Sequence, residues 1–585
     1  MHLYWVCYRH NNQISVVIEP GASLVHARLR ASLDGLDEGT FTEGHELDRG
    51  TERQVPKSMI GRRLSQEEAK RLLAKFGRAR HAALCRLGAQ MPTRRKALGA
   101  VAQAAAGLAL LPFAPRRAES SVLVNDIHSQ LNPTRVDRIV AIDSEATLRA
   151  ALAAARVEGK PVCVAGGRHA MGGQQFAEDA VLLDVRPMRR IIGLNAEHGV
   201  VEAEAGIQWP ELIERLIGMQ RGQRAAWGII QKQTGADRLT LGGALGANIH
   251  GRGLALKPII GDVESFTLMQ ADGSLSICSR SENAELFRLA IGGYGLFGVV
   301  TRVRLRLRRR TKLERVVRII DIDDLMPAFA ERIGEGYIYG DCQFSTDASS
   351  DTYLRNGVFA CYRPLPADAP MPADQKELGE AQWRELYHHS HADTRRAYDA
   401  YTSYYLSTSG QRYWSDLSQL GVYIDDYHVD LDRRLGSPHK GSEMITELYV
   451  PRSALSAFLA AVRADFRRNG VGLIYGTIRL IERDDESVLA WAREPWVCTV
   501  MNLHVDHTPD RIAKAADDFR RLIDRAIEFG GSYFLTYHRW ASRSQVETCH
   551  PRMVEFLRAK RRHDPAEAFQ SDWYRHYKRM FADQL

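Results

Sequence analysis

Among the eight cysteines there is no C-x-x-C pair. No zinc-finger spacing, c-type haem attachment or iron–sulfur run is therefore present in the sequence. Cys7, Cys85, Cys163, Cys278, Cys342, Cys361, Cys498 and Cys549 are dispersed. That pattern suits free, buried apolar residues better than a disulfide framework, and it does not settle the redox compartment. The main body also lacks a basic surplus. Residues 1–118 hold 19 Lys and Arg against 10 Asp and Glu, so an excess of nine sits there and residues 119–585 sum to −1 of the total +8. A near-neutral body argues against a nucleic-acid partner held through the phosphate backbone. Charge is absent altogether from one stretch, Ala97 to Pro115.

What remains is a chain of 585 residues, 45% apolar and 26% charged. It is too long for one ordinary core, so two or more domains are expected. Residues 1–90 read poorly as a domain. Ser65-Gln-Glu-Glu68 is a capping-box pattern that predicts a helix over Ala69–Leu84. At Met91 the character changes. Thr93-Arg-Arg-Lys96 followed by the uncharged, Ala-rich run makes an export-signal pattern of the twin-arginine kind. The expectation is an over-extended N-terminus over 1–90, with translation beginning at Met91. A signal over 91–118 would then use the export machinery transiently and carry the protein to the periplasm; a membrane anchor is the alternative.

From Asn125 the pattern becomes compactly α/β. Ile139–Ile142, Pro161–Ala165, Val181–Val185 and Val200–Ala205 read as strands, and Ser144–Ala155 and Pro210–Met219 as helices. Three glycine-rich stretches follow in order. The first is Gly166-Gly-Arg-His-Ala-Met-Gly-Gly173, which does not have the G-x-G-x-x-G spacing of the usual dinucleotide fingerprint. The second runs Thr240-Leu-Gly-Gly-Ala-Leu-Gly-Ala-Asn-Ile-His-Gly251. The third is Gly292-Gly-Tyr-Gly-Leu-Phe-Gly-Val-Val300, preceded by an Ala271-Asp-Gly273 turn and Glu285-Leu-Phe287. Strands that end in glycine loops let backbone N–H groups approach an anion closely.

In order and spacing, these stretches resemble the flavin-binding domain of the vanillyl-alcohol-oxidase superfamily, also called PCMH-type. The end of the chain, Phe529-Gly-Gly531 and Lys560-Arg-Arg-His-Asp-Pro-Ala-Glu-Ala-Phe569, is similar to the branch of sugar-lactone, alditol and decaprenylphosphoryl-ribose oxidases. The resemblance implies an α+β fold: a two-subdomain FAD-binding domain over 125–310, an α+β substrate cap over 311–540 and a segment over 541–585 that returns to the FAD domain. It implies FAD held by Gly166, Gly167, Arg168, His169, Ala170, Met171, Gly172 and Gly173, by Thr240, Gly242, Gly243, Gly246, Asn248, His250 and Gly251, and by Val299 and Val300. His169 falls where some members tether the flavin covalently, although Arg168 and Ala170 are not its usual neighbours.

In the cap, Arg479 matches an active-site arginine of the alditol and lactone oxidases, while their glutamate two residues earlier is replaced by Thr477. His538, His504 and His507 are the candidate proton acceptors. The expected function is oxidation of a CH–OH donor (a sugar, polyol or lactone) with hydride transfer to flavin N5. Electrons would pass on to O2, a cytochrome or a quinone as a separate partner. The alternatives are a non-covalent flavoprotein of the ribose-oxidase or sterol-reductase kind, and a non-catalytic ligand-binding envelope protein.

Overall fold

The computed structural model describes residues 2–10, 13–21, 27, 31, 36, 40–47, 53–73 and 121–585, except 224, 373–374, 422–423 and 425–426. The export-signal stretch over 91–118 lies outside the described residues, and no described helix is long and apolar enough to cross a membrane. The chain divides into two compact units, residues 1–120 and 121–585.

The first unit departs from the sequence reading, which assigned no domain there. Strands β1 (His2–His10), β2 (Gln13–Gly21), β3 (Thr40–Glu46) and β4 (Arg63–Leu64) form an antiparallel sheet in the order β3-β1-β2-β4. Helix α1 spans Gln66–Leu73. Its capping box is made: Glu68 N–H donates to Ser65 Oγ at 3.2 Å and Ser65 N–H to Glu68 Oε2 at 2.8 Å. The strand signal was hidden because β1 is buried on both faces. Tyr4, Val6 and Tyr8 enter one core and Trp5 and Cys7 another, so the apolar/polar alternation of a half-exposed strand is missing.

The second unit opens with the hairpin β5 (Val122–Val124) and β6 (Thr134–Val136). Strands β7 (Arg138–Ala141), β8 (Val162–Ala165) and β9 (Val181–Asp184) make a parallel sheet in the order β7-β9-β8. Helix α2 (Glu145–Val157) crosses between β7 and β8, its first turn capped by Ser144 Oγ accepting from Thr147 N–H at 3.2 Å. The C-terminal segment adds to this layer. Phe569 bridges Val162 in parallel, through Val162 N–H to Ala568 O at 2.7 Å and Gln570 N–H to Val162 O at 2.8 Å.

A second, six-stranded sheet comprises β10 (Ile191–Asn195), β11 (Val200–Glu204), β12 (Trp227–Ile229), β13 (Val263–Met269), β14 (Leu275–Ser279) and β15 (Val299–Arg309). Its order is β10-β11-β15-β13-β14, with β12 against β15. Helices α3 (Trp209–Met219), α4 (Leu241–Ala247) and α5 (Ala284–Ala290) accompany it.

The third sheet has eight antiparallel strands: β16 (Lys312–Asp321), β17 (Tyr339–Phe344), β18 (Asn356–Pro364), β19 (Arg412–Trp414), β20 (Gly441–Pro451), β21 (Leu473–Ile481), β22 (Trp496–Asp506) and β23 (Ser532–Tyr533). They run β19-β16-β18-β17-β21-β22-β20-β23. Helix α6 spans Leu325–Gly334, α7 Glu380–Ala392, α8 Thr394–Ser407, α9 Tyr427–Leu435, α10 Leu455–Asn469 and α11 Pro509–Glu528. Short helices α12 (Arg543–Cys549), α13 (Met553–His563) and α14 (Asp572–Met580) close the chain.

Register makes the two faces of this sheet chemically different. Glu443, Glu447 and Tyr449 of β20 pair with His504, Val500 and Cys498 of β22, and Val500 and Cys498 in turn pair with Thr477 and Arg479 of β21. Because side chains alternate, these share one face. Met444, Leu448, Val450, Ile478, Leu480, Val497, Met501 and Leu503 share the other and are buried. The amphipathic helices α10 and α11 suit that apolar face. The polar face is roofed at its edges: Tyr398, Tyr401 and Tyr405 of α8 pack on Val317, Val358 and Ala360, and His391 of α7 and His428 of α9 reach Glu443.

Candidate active site

The first glycine stretch follows β8 and folds against the second. A Cβ on Gly166 would lie 2.1 Å from Thr240 Oγ1, and one on Gly167 would lie 2.3 Å from the Arg238 carbonyl oxygen. Only glycine allows this approach. Thr240 also caps α4, accepting from Gly243 N–H at 3.2 Å. Asn248 ends α4 in a left-handed conformation at φ 49°. The third stretch joins the second through Gly292 N–H to Leu245 O at 3.1 Å and Tyr294 N–H to Gly246 O at 2.9 Å. Val299 and Val300 begin β15 opposite Met269 and Leu268, and Val299 is core.

The loop is held from outside. Met171 N–H donates to Thr536 O at 3.1 Å, and Gln175 Nε2 donates to Ala170 O at 2.7 Å. Arg168 takes a left-handed backbone at φ 59°. Its Nε, like Gln175 Oε1, is buried without a hydrogen-bond partner among the described residues. His169 Nδ1 faces His128 Nε2 at 2.8 Å. Burial, then the neighbouring His128 and Lys232, push His169 well below the ordinary histidine range, so its ring is neutral.

The cap contributes a buried carboxylate–imidazole pair. His250 Nε2 contacts Glu447 Oε1, and His250 Nδ1 lies 3.0 Å from Gly251 O. Cys498 Sγ donates to Glu447 Oε1 at 2.8 Å and the Tyr537 hydroxyl to Glu447 Oε2 at 3.1 Å. Burial would raise the Glu447 carboxyl, but the neighbouring His250, with Cys498 and Arg479, holds it at about 2. Glu447 is therefore ionised, while burial and Glu447 itself keep Cys498 a neutral thiol.

Arg479 is 3% exposed, and its Nε and Nη1 have no hydrogen-bond partner among the described residues. Gln343 Oε1 and Asn502 Oδ1 on the same face are likewise unpartnered. A buried guanidinium and two amide oxygens left without partners are costly unless a ligand satisfies them. Nearby, Lys232 Nζ pairs with Asp237 Oδ1 at 2.5 Å. Burial lowers the Lys232 ammonium, Asp237 opposes this, and Arg252 and Arg479 add to it.

The structure brings Arg479 and His250 together and places His504 beside Glu443 on the same sheet face. His538 goes elsewhere. It lies between Tyr533, Trp540 and Phe519 at ring separations of 5.8, 5.6 and 4.6 Å. Its Nδ1 accepts from Trp540 N–H at 3.3 Å, and burial pushes it down to about 3. Phe519 belongs to α11, so His538 serves an aromatic core, and no hydrogen bond or ion pair among the described residues links it to Arg479, Glu447 or His504. His507 bonds Ser442 Oγ at 2.7 Å. Sequence reasoning missed Glu447, Glu443, His128, His391, His428 and Lys232. The spacing of Glu443 and Glu447 four apart in one strand was the available signal, since it puts both carboxylates on one face.

A dinucleotide fits these residues. The Gly166–Gly173 loop offers backbone donors for a pyrophosphate, and the unpartnered polar atoms of the cap face stand ready for a ligand. The comparisons agree. Residues 136–279 match the FAD binding domain family. The chain is 23% identical over 463 residues to decaprenylphosphoryl-β-D-ribose oxidase of Mycolicibacterium smegmatis, covering 76% of this chain and 95% of that protein. It is 31% identical over 160 residues to L-gulonolactone oxidase of Mus musculus, 27% of this chain and 34% of that one. It is 28% identical over 167 residues to cytokinin dehydrogenase 9 of Oryza sativa subsp. japonica, 28% of this chain and 30% of that one. Within the α+β architecture, residues 136–279 are an FAD-binding domain, and these likenesses support the PCMH-type FAD-binding oxidoreductase superfamily.

Proposed function

We propose that this flavoprotein oxidises a CH–OH donor, a sugar, polyol or lactone, at the polar face of the cap sheet. The observation that carries the proposal is Arg479: a buried guanidinium with unpartnered Nε and Nη1, adjoining the ionised Glu447. The glycine stretches, with Arg168 and His169, would hold FAD, which supplies the hydride acceptor when bound. Arg479 donates to the substrate oxygen and stabilises negative charge there as its proton departs. His250, oriented by the ionised Glu447, takes up that proton. Cys498 and Tyr537 donate to Glu447 and fix its orientation. The buried face excludes water from the exchange.

The neutral ring of His169 supports its proposed role as a covalent tether, because only a neutral imidazole carries a nucleophilic lone pair. O2, a cytochrome or a quinone would take the electrons onward. Export by the twin-arginine route is part of the proposal and rests on Thr93-Arg-Arg-Lys96 and the uncharged run after it.

The test is turnover of sugars, polyols, lactones and amines with an artificial electron acceptor. Oxidation of an alcohol or lactone, lost in Arg479→Ala with flavin retained, is expected. Oxidation confined to amines, or a colourless inert protein that binds sugars, overturns the proposal.

A further inference from the structure

A second cluster lies on the same sheet face and is not used above. Glu443 of β20 is surrounded by three histidines from three elements. His391 Nε2 of α7 is 2.7 Å from Glu443 Oε1, His504 Nδ1 of β22 is 3.4 Å from the same oxygen, and His428 Nδ1 of α9 is 3.3 Å from Oε2. The side chains of Glu443, His391 and His428 are 4%, 5% and 7% exposed. The ligand atoms of His391, Glu443 and His504 all lie within 4.8 Å of one another.

Hydrogen bonding accounts for part of this arrangement: the Tyr427 hydroxyl donates to Glu443 Oε2, and Asp506 Oδ1 lies 3.4 Å from His504 Nε2. His391 Nδ1 lies 2.8 Å from the Tyr387 carbonyl oxygen, which only accepts, so Nδ1 carries the proton. On a neutral ring, Nε2 then turns a lone pair toward a carboxylate oxygen at 2.7 Å. The His504 and His428 separations exceed good hydrogen-bond lengths. They match instead the edge of a tetrahedron, about 3.3 Å for bonds of about 2.0 Å to a central ion. A ligating histidine whose other nitrogen donates to a backbone carbonyl is the usual outer-shell arrangement around zinc. Protonating all three rings would set three positive charges against Glu443 and Asp506, whereas a single divalent ion uses the lone pairs of His391 and His504 and neutralises Glu443.

We propose that Glu443, His391 and His504 bind a divalent transition-metal ion of the zinc class, with His428 at the open side of the coordination sphere. His128, which meets the loop residue His169 at 2.8 Å, also feels the Glu443 charge, so the ion would border the cofactor loop. The second candidate trio, His250, Glu447 and Cys498, belongs to the face assigned above to the oxidation.

The test uses the full, untagged flavoprotein. After dialysis against a chelator it is titrated with zinc in competition with a chromophoric chelator. One tight equivalent per chain is expected, together with a zinc-dependent rise in melting temperature. His391→Gln and His504→Gln should each weaken binding by at least about 100-fold, since even outer-shell partners account for about 10–100-fold. Flavin content reports that the variants are folded, and the exposed neighbour variant His439→Gln should bind as the parent does. No tight equivalent in the parent, or equal binding in the folded double variant, overturns the proposal. Neither readout depends on turnover, so failure here leaves the proposed oxidation standing.

Discussion

Glu447 and Thr477 stand opposite the same residue, Val500, from the two sides of β22. The resemblance puts a glutamate where this chain has Thr477. The carboxylate is supplied instead from across the sheet, on the same face as Arg479. Glu447→Gln should retain flavin yet lower kcat by about 10²–10⁴-fold, the range for a lost acid–base group. An unchanged rate by stopped-flow would remove Glu447 from the chemistry.

Arg479→Ala should lower kcat/KM by about 10²–10³-fold, as expected when a donor to a developing oxyanion is lost. Arg479→Lys should recover part of it, because the point charge survives and the forked donor does not. Steady-state kinetics on the flavin-replete variants check both.

The Glu447 carboxyl also shapes stability against pH. Its folded value, about 2, lies below its ordinary value, so its contribution is fully present above the ordinary carboxyl range and is lost as pH falls toward 2. Thermal melts of the parent between pH 5 and pH 2 should decline more steeply than those of Glu447→Gln. Parallel curves would contradict the assignment.

Gly167→Ala should yield a flavin-poor protein. Its Cβ meets a backbone oxygen, Arg238 O, at 2.3 Å, and backbone cannot rotate away. Overpacking of this kind costs about 1–3 kcal/mol. Absorbance of the purified variant reads flavin occupancy, and full occupancy would show that the loop tolerates the change.

His169 gives a sharp chemical outcome. Acid precipitation of the parent should leave the yellow colour with the polypeptide, and that of His169→Ala should release it. Free flavin from the parent would reject the tether.

How much was legible in advance depended on whether a feature was local. The glycine loops, the Ser144 cap and the strand from Val181 to Val185 carry their signals within a few residues, so they could be read. Arg479 was singled out through a motif within its own strand, and it is buried with Nε and Nη1 unpartnered. Glu447, Glu443, His391 and His428 come from β20, α7 and α9, and strand order alone brings them to β21 and β22. The aromatic surroundings of His538 were hidden for the same reason: its local sequence suggested an acceptor, and Phe519 of α11 packs against it from elsewhere in the chain. The N-terminal sheet went unread because both faces of β1 are buried.

The central claim is that the Arg479–Glu447 face oxidises a CH–OH donor on bound flavin. Anaerobic mixing of the yellow protein with sugars, polyols, lactones and lipid-linked sugars tests it most directly. Rapid bleaching by a hydroxylated or lactone donor in the parent, slowed by at least about 100-fold in Arg479→Ala and in Glu447→Gln, is the predicted result. Bleaching at equal rates in all three proteins, or in none with any such donor, would contradict it.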